Sequence, residues 1–180
     1  MILALVGASA SGKTTVVNLL CEMYPNLHRV VAYTTRSPRS GEQNGVDYFF
    51  TSNRDFLEKV REGFFLEHAS YRDWNYGTPN AGLEMGDWIL VLTPSGAREL
   101  KKKNLPDTKI VYLDVDRRSR LIKLLQRGDN VDESYRRNLS DVGMFDGFEN
   151  EADYSICNDG YIRSPSSIAN EIVAFTKGDV

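Results

Sequence analysis

The sequence predicts an α/β fold built on a doubly wound parallel sheet, and three observations carry that reading. A wholly apolar run, Ile2 to Val6, leads directly into a glycine-bearing turn and then a helical pattern. Further short apolar runs alternate with helical patterns along the chain, as the strand-helix-strand units of a parallel sheet require. Two stretches break that rhythm: 36–86, rich in Arg, Gly and aromatics, and 127–147, polar and arginine-bearing. Both read as insertions over the active edge of a core made of 1–35, 87–126 and 148–180. At 180 residues the whole is expected to be one domain with a sizeable core.

Taken in order, the continuous run Ile2 to Val6 suits a central strand covered on both faces. Val16, Val17, Leu19, Leu20 and Met23 recur at helical spacing, and Pro25 ends that helix. Further strands are predicted at Val30 to Tyr33, Trp88 to Leu92, Ile110 to Leu113 and Tyr154 to Cys157, with helices at Ser95 to Lys103 and Arg117 to Arg127. Pro165 marks the first turn of a last helix, where its missing N–H costs nothing. Cys21 and Cys157 fall in apolar patterns without metal or disulfide spacing, so both are expected as buried reduced thiols. His28 and His68 have no partner at a spacing that suggests acid/base work or metal binding and read as structural. The run Lys101 to Lys103 reads as the solvated end of a helix, where cations favour the dipole.

Charge and hydropathy exclude several classes. With 22 Lys and Arg against 25 Asp and Glu, the net charge of -3 gives no global attraction to nucleic acid, so an anion site must be built from locally clustered arginines. No apolar run approaches the ~20 residues of a membrane span, and residues 2–6 lack the flanks of a signal peptide. The expectation is a cytoplasmic protein with small-molecule partners, neither nucleic acid nor membrane, existing as a monomer or small homo-oligomer.

The turn after the first strand reads Gly7-Ala8-Ser9-Ala10-Ser11-Gly12-Lys13-Thr14, followed by Thr15. It is a complete phosphate-binding loop between a strand and a helix, the context the motif requires. Its glycines let backbone N–H groups face a β-phosphate, Lys13 reaches the β and γ oxygens, and Thr14 offers a hydroxyl to Mg²⁺. The loop is therefore expected to hold a nucleoside triphosphate with Mg²⁺, on a P-loop NTPase core. In the first insertion Arg36 and Arg39 flank Pro38, whose stiff turn lets two guanidiniums meet one phosphate with little entropy left to lose. Tyr48 and Tyr76 can add hydroxyl donors.

Four pieces of this insertion follow the loop in order: Thr34-Thr35-Arg36-Ser37-Pro38-Arg39-Ser40-Gly41-Glu42, Gly45-Val46-Asp47-Tyr48-Phe49-Phe50, Gly63-Phe64-Phe65-Leu66-Glu67 and Asn75-Tyr76-Gly77-Thr78. Together they make the chain resemble guanylate kinase, from about residue 2 to about residue 160. The resemblance implies a mixed β region at 36–86 that binds a nucleoside monophosphate, and a short lid at 127–147. It implies that Arg36, Arg39, Tyr48 and Tyr76 hold the acceptor phosphate, that Glu67 reads the N1–H and N2–H₂ edge of guanine, and that Thr78 sits beside the base. It implies too that Arg127 and one of Arg136 and Arg137, with Arg137 the choice, close over the transferring phosphoryl group alongside Lys13, and that Asn158 lies near the donor adenine.

The chain also departs from that pattern. Ala32 and Tyr33 stand where the family carries a serine pair, and Val91, Thr93, Ser95 and Gly96 stand where it carries an Asp-x-Asp pair followed by Gln-Gly. Thr93 can offer the base a hydroxyl in place of a carboxylate. The resemblance implies transfer of a phosphoryl group from ATP to GMP or dGMP, with relaxed base selectivity. Two other readings share parts of the pattern. A related kinase of another nucleotide or of ribose bisphosphate would keep the loop and the Asn158-Asp159-Gly160 ending, but the ribose bisphosphate enzymes lack the Thr-Thr-Arg block. A phosphopeptide-binding module would keep the arginines and tyrosines but not the loop that Lys13 and Thr14 complete.

Overall fold

The apolar run forms β1 (Ile2–Val6), and its residues alternate between two cores. A computed structural model describes residues 1–39, 41–80, 83, 86–128 and 130–179, so Ser40 and Asp129 of the predicted insertion and lid lie outside the described residues. Leu3 and Leu5 pack with Val16, Val17 and Leu20 of α1 (Lys13–Met23) and with Ile168, Ala169 and Ile172 of α6 (Pro165–Lys177). Ile2, Ala4 and Val6 face the other way, onto Ala97 and Leu100 of α3 (Pro94–Lys102) and onto Phe145 and Phe148. Helices on both faces explain why the strand is apolar throughout rather than alternating.

Around β1 lies a sheet of five strands, every neighbouring pair parallel, in the order β2-β7-β1-β8-β9. Its other members are β2 (Leu27–Arg29), β7 (Asp87–Leu92), β8 (Thr108–Asp114) and β9 (Tyr154–Cys157). A second, mixed sheet carries the first insertion in the order β4-β3-β6-β5, formed by β3 (Tyr33–Thr34), β4 (Phe49–Phe50), β5 (Phe65–Tyr71) and β6 (Trp74–Pro79). Helix α2 (Asn53–Arg61) belongs to this insertion; Ser52 caps it by accepting from the Asp55 N–H at 3.0 Å, and it buries Phe56 against Phe65. Helix α4 (Arg117–Gln126) follows β8 as part of the core, and α5 (Val131–Ser140) lies in the arginine-bearing second insertion.

Two expectations are corrected. Val30 to Tyr33 is not one strand: the chain leaves the parallel sheet after β2 and enters the second sheet at β3, and the apolar run spans the crossing. Cys157 is exposed rather than buried, because β9 is an edge strand and Cys157 lies on its uncovered side; Cys21 is half-buried. His28 rests on the Trp88 ring and His68 is exposed. No helix among the described residues is long and apolar enough to cross a membrane.

Candidate active site

The carboxyl edge of a parallel sheet is where such folds bind ligands, and the phosphate loop leaves β1 there. Gly7 is required by space: a Cβ would lie 2.5 Å from Ser11 Oγ and 2.7 Å from the Leu113 carbonyl oxygen. Lys13 opens α1 and turns back along the loop, donating from Nζ to the Gly7 oxygen at 2.6 Å and the Ala8 oxygen at 2.8 Å. Burial lowers its ammonium to about 8; Asp141 opposes that shift, while Arg120 and Arg39 add to it. Phosphate oxygens would restore the charge. Thr14 and Thr15 are exposed at the first turn of α1.

A cavity of about 270 Å³ extends from this loop across the second sheet to the lid. It brings together Gly7, Ser9, Ala10, Ser11, Gly12, Lys13, Thr14 and Thr15 with Arg39, Tyr48, Glu67, Tyr76, Thr78 and Thr93, and with Arg127 and Arg137. Among the expected residues, Ala8, Arg36, Arg136 and Asn158 are not on its wall.

On the second-sheet side, Arg36 is buried and forks onto Glu42, with Nη1 to Oε2 and Nη2 to Oε1 both 2.9 Å, while its Nε has no hydrogen-bond partner. Glu42 also accepts from the Arg39 N–H at 2.7 Å, so one carboxylate fixes both arginines around Pro38. Burial would raise the Glu42 carboxyl, but the hydrogen bonds from Arg36 and the Arg39 backbone hold it below the usual range. Arg36 lies over the Tyr48 ring, and Tyr48 meets Tyr76 edge to face. Arg39 therefore reaches the cavity with the two tyrosines while Arg36 braces them. Glu42 ends the Thr34 to Glu42 motif, and its spacing of six from Arg36 is the signal in the sequence for this pairing.

Deeper in, Glu67 of β5 is 5% exposed and accepts from Thr78 Oγ1 of β6 at 2.6 Å. Burial lifts its carboxyl to about 7, partly offset by the hydrogen bonds to Thr78. Gly96 makes room for it: a Cβ there would come within 2.6 Å of Glu67 Oε2. Thr93 is the N-cap of α3, accepting from the Gly96 N–H at 3.1 Å, and its hydroxyl also lies 3.1 Å from Ser95 Oγ. The hydroxyl that replaces a carboxylate thus has its oxygen committed to holding the helix.

At the lid, Arg127 caps the end of α4, and Arg137 of α5 lies along the cavity with its Nε donating to Glu133 at 2.6 Å. Arg136 turns away, pairing with Glu133 and lying over the Trp74 ring. Burial would raise the Glu133 carboxyl, yet the two arginine hydrogen bonds pull it down to about 2. Asn158 is buried and exchanges hydrogen bonds with the Arg163 backbone, 2.9 Å from its N–H and 3.3 Å to its oxygen, so it shapes the loop after β9. From that loop Tyr161 donates to the Ala10 oxygen at 2.6 Å, and Lys123, on the cavity wall, lies over its ring. Lys123, Tyr161 and the buried Asp141 had no sequence signal, because their partners come from remote segments.

The profile described as guanylate kinase matches residues 1–161. The chain belongs to the guanylate kinase family. It is 34% identical over 173 residues to a guanylate kinase of Latilactobacillus sakei, covering 88% of this chain and 81% of that one. It is 33% identical over 178 residues to a guanylate kinase of Streptomyces coelicolor, covering 96% and 88%. Its fold is similar to the crystal structure of guanylate kinase from Anaplasma phagocytophilum, with a TM-score of 0.75 at 25% identity over 99% of this chain and 85% of that one. Membership of the guanylate kinase family agrees with the α/β core and the mixed second sheet described above.

Proposed function

We propose that the chain transfers the γ-phosphoryl group of ATP to the phosphate of GMP or dGMP, yielding ADP and the diphosphate. The observation that carries this reading is that one cavity joins a complete phosphate loop to a buried carboxylate, with Arg39, Tyr48 and Tyr76 between them. An oxygen of the acceptor phosphate attacks the γ-phosphorus, and the bond to the β-phosphate oxygen breaks. The acceptor is already nucleophilic, so no general base is needed, and catalysis is positioning plus charge stabilisation. Lys13, Arg127 and Arg137 face the migrating group. Arg39, Tyr48 and Tyr76 hold the acceptor phosphate, with Arg36 held behind them on Glu42. Glu67 in its ionised form accepts from N1–H and N2–H₂ of guanine, an edge that adenine lacks.

The residues fit Mg²⁺ that arrives with the nucleotide. Thr14 offers one exposed hydroxyl at the loop, and Val91 stands where a carboxylate would be, so phosphate oxygens and water must complete the ion's shell, as is common for Mg²⁺. Bound there, the ion would neutralise charge on the donor phosphates. No group of three or more His, Cys, Asp or Glu able to hold a metal by itself occurs among the described residues.

Base selectivity is relaxed in this reading, because Ala32 contributes no side-chain hydrogen bond and Thr93 is engaged as a cap. The test is ADP release with GMP, dGMP, IMP and AMP as acceptors. GMP and dGMP should be best and IMP, lacking only the exocyclic amine, the closest competitor; preference for AMP, or no turnover with any of the four, would overturn the assignment.

A further inference from the structure

One buried carboxylate joins the two halves of the cavity, and the expected chemistry gives it no role. Asp141 follows α5, and its side chain is fully buried. Its Oδ2 faces the donor side, accepting from the Ser9 N–H of the phosphate loop at 3.0 Å and from Arg120 Nη1 of α4 at 3.1 Å. Its Oδ1 faces the acceptor side, accepting from Arg72 Nη2 at 2.8 Å and from the Tyr71 hydroxyl. Tyr71 and Arg72 sit at the tip of the β5–β6 hairpin, whose body carries Glu67, Tyr76 and Thr78. The same Arg72 Nη2 also lies within hydrogen-bond distance of the Tyr71 hydroxyl, of Ser9 Oγ at 3.1 Å and of the Arg137 carbonyl oxygen at 2.9 Å.

A buried ion pair alone is weak evidence of purpose, since apolar groups often replace one without loss of stability. The choice of partners says more. They are a backbone N–H of the loop that takes the donor phosphates, the hairpin that carries the base-reading carboxylate, and the turn of the helix that carries Arg137. Arg72 holds a backbone φ of 58°, a left-handed conformation that is uncommon outside glycine. With four donors on two oxygens, the hairpin tip cannot shift without disturbing what holds Ser9. Such contiguous bonded groups carry coupling between sites, and coupling in binding is reciprocal.

We propose that Asp141 is a positioning residue that couples the donor and acceptor subsites, its carboxylate tying the phosphate loop to the β5–β6 hairpin and the lid. The proposal rests on the two-subsite reading of the cavity but not on the identity of the base, so it is tested with whichever monophosphate the wild type turns over best. Calorimetry gives the Kd of that monophosphate with and without the non-hydrolysable analogue AMP-PNP, and the converse. In the wild type each ligand should tighten the other by at least about fivefold. In Asp141→Asn, where an amide nitrogen must face two donors, that factor should fall to within about twofold of unity. The monophosphate alone should still bind within about threefold of wild type, while kcat drops about tenfold or more, as misplacement of bound reactants predicts. Tyr71→Phe, which removes one acceptor-side donor and leaves the ion pairs, should lower the coupling factor in the same direction, and it serves if Asp141→Asn fails to fold. Coupling retained in both variants, or a lowered thermal midpoint with unchanged coupling and kcat, would overturn the proposal, as would a wild type in which the two ligands bind independently.

Discussion

Lys13 and Glu67 are two cavity groups whose ordinary titration burial displaces toward neutrality, one downward and one upward, and each displacement has a measurable consequence. Lys13 sits at about 8, so above that pH it loses the charge that donor phosphates favour, and binding must take up a proton. ATP affinity should fall as pH rises through about 8, by at most about tenfold per unit. Lys13→Ala should flatten that profile and abolish turnover without lowering the thermal midpoint; retained turnover of more than a few per cent in a folded variant would remove Lys13 from the machinery. Glu67, raised to about 7 from an ordinary 4.5, behaves in the opposite sense. The folded state keeps its proton between those values, so the cost of its buried charge is felt above 7 and lifts as pH falls toward 4.5. Glu67→Gln, neutral throughout, should raise the thermal midpoint at about pH 8 and lose that gain near pH 5. It should also erase the fall in GMP affinity that the wild type shows below about 7. Scanning fluorimetry and calorimetric titration across this range check both, and a midpoint shift independent of pH would refute the burial argument.

At the level of elements, helix position sends two adjacent arginines to different surroundings. Arg137 lines the cavity and Arg136 lies over Trp74 on the outer side, so Arg137→Ala should reduce kcat by roughly 10²-fold, as loss of a transition-state charge contact does. Arg136→Ala should leave kcat within a few-fold of wild type, and the reverse ranking would exchange their roles. Helix α3 offers a second case. Thr93 caps it through the Gly96 N–H, and Asp is as good a cap as Thr. Thr93→Asp should therefore keep the helix while adding an acceptor beside the base. Preference for GMP over IMP, read as the ratio of kcat/KM values, should rise about tenfold or more, the scale of a hydrogen bond to a charged group. An unchanged ratio would mean that position 93 does not face the base.

For the molecule as a whole, stability rests on the two cores flanking β1. Phe148, 1% exposed, packs edge-on against Tyr112 and lies under Arg98, so Phe148→Ala should cost about 3–5 kcal/mol. At ~2–4 °C per kcal/mol for a chain of this size, the melting temperature should drop by roughly 10 °C. How much of this was legible in the sequence depends on how local the determining contacts are. The core strands could be read because β1 to α1, β7 to α3 and β8 to α4 each carry their apolar pattern within one unit. The arginines and tyrosines proposed for the acceptor could be singled out because they cluster in a few short motifs. The second sheet was harder, since β3 and β4 have two residues each, too few to show a period. Asp141 could not be found, because Ser9 lies 132 residues away and Arg72 lies 69 away. Arg36 could be read as a residue type suited to an anion site, and its spacing of six from Glu42 was the sign available that its fork would close there.

The short outer strands of the parallel sheet have a consequence for behaviour in concentrated solution. With only three residues in β2 and four in β9, either border offers an incoming chain too brief a ladder of free backbone groups to extend. The wholly apolar strand β1 is kept at the centre, out of reach of such pairing, so intermolecular sheet growth has no ready template on this side of the fold.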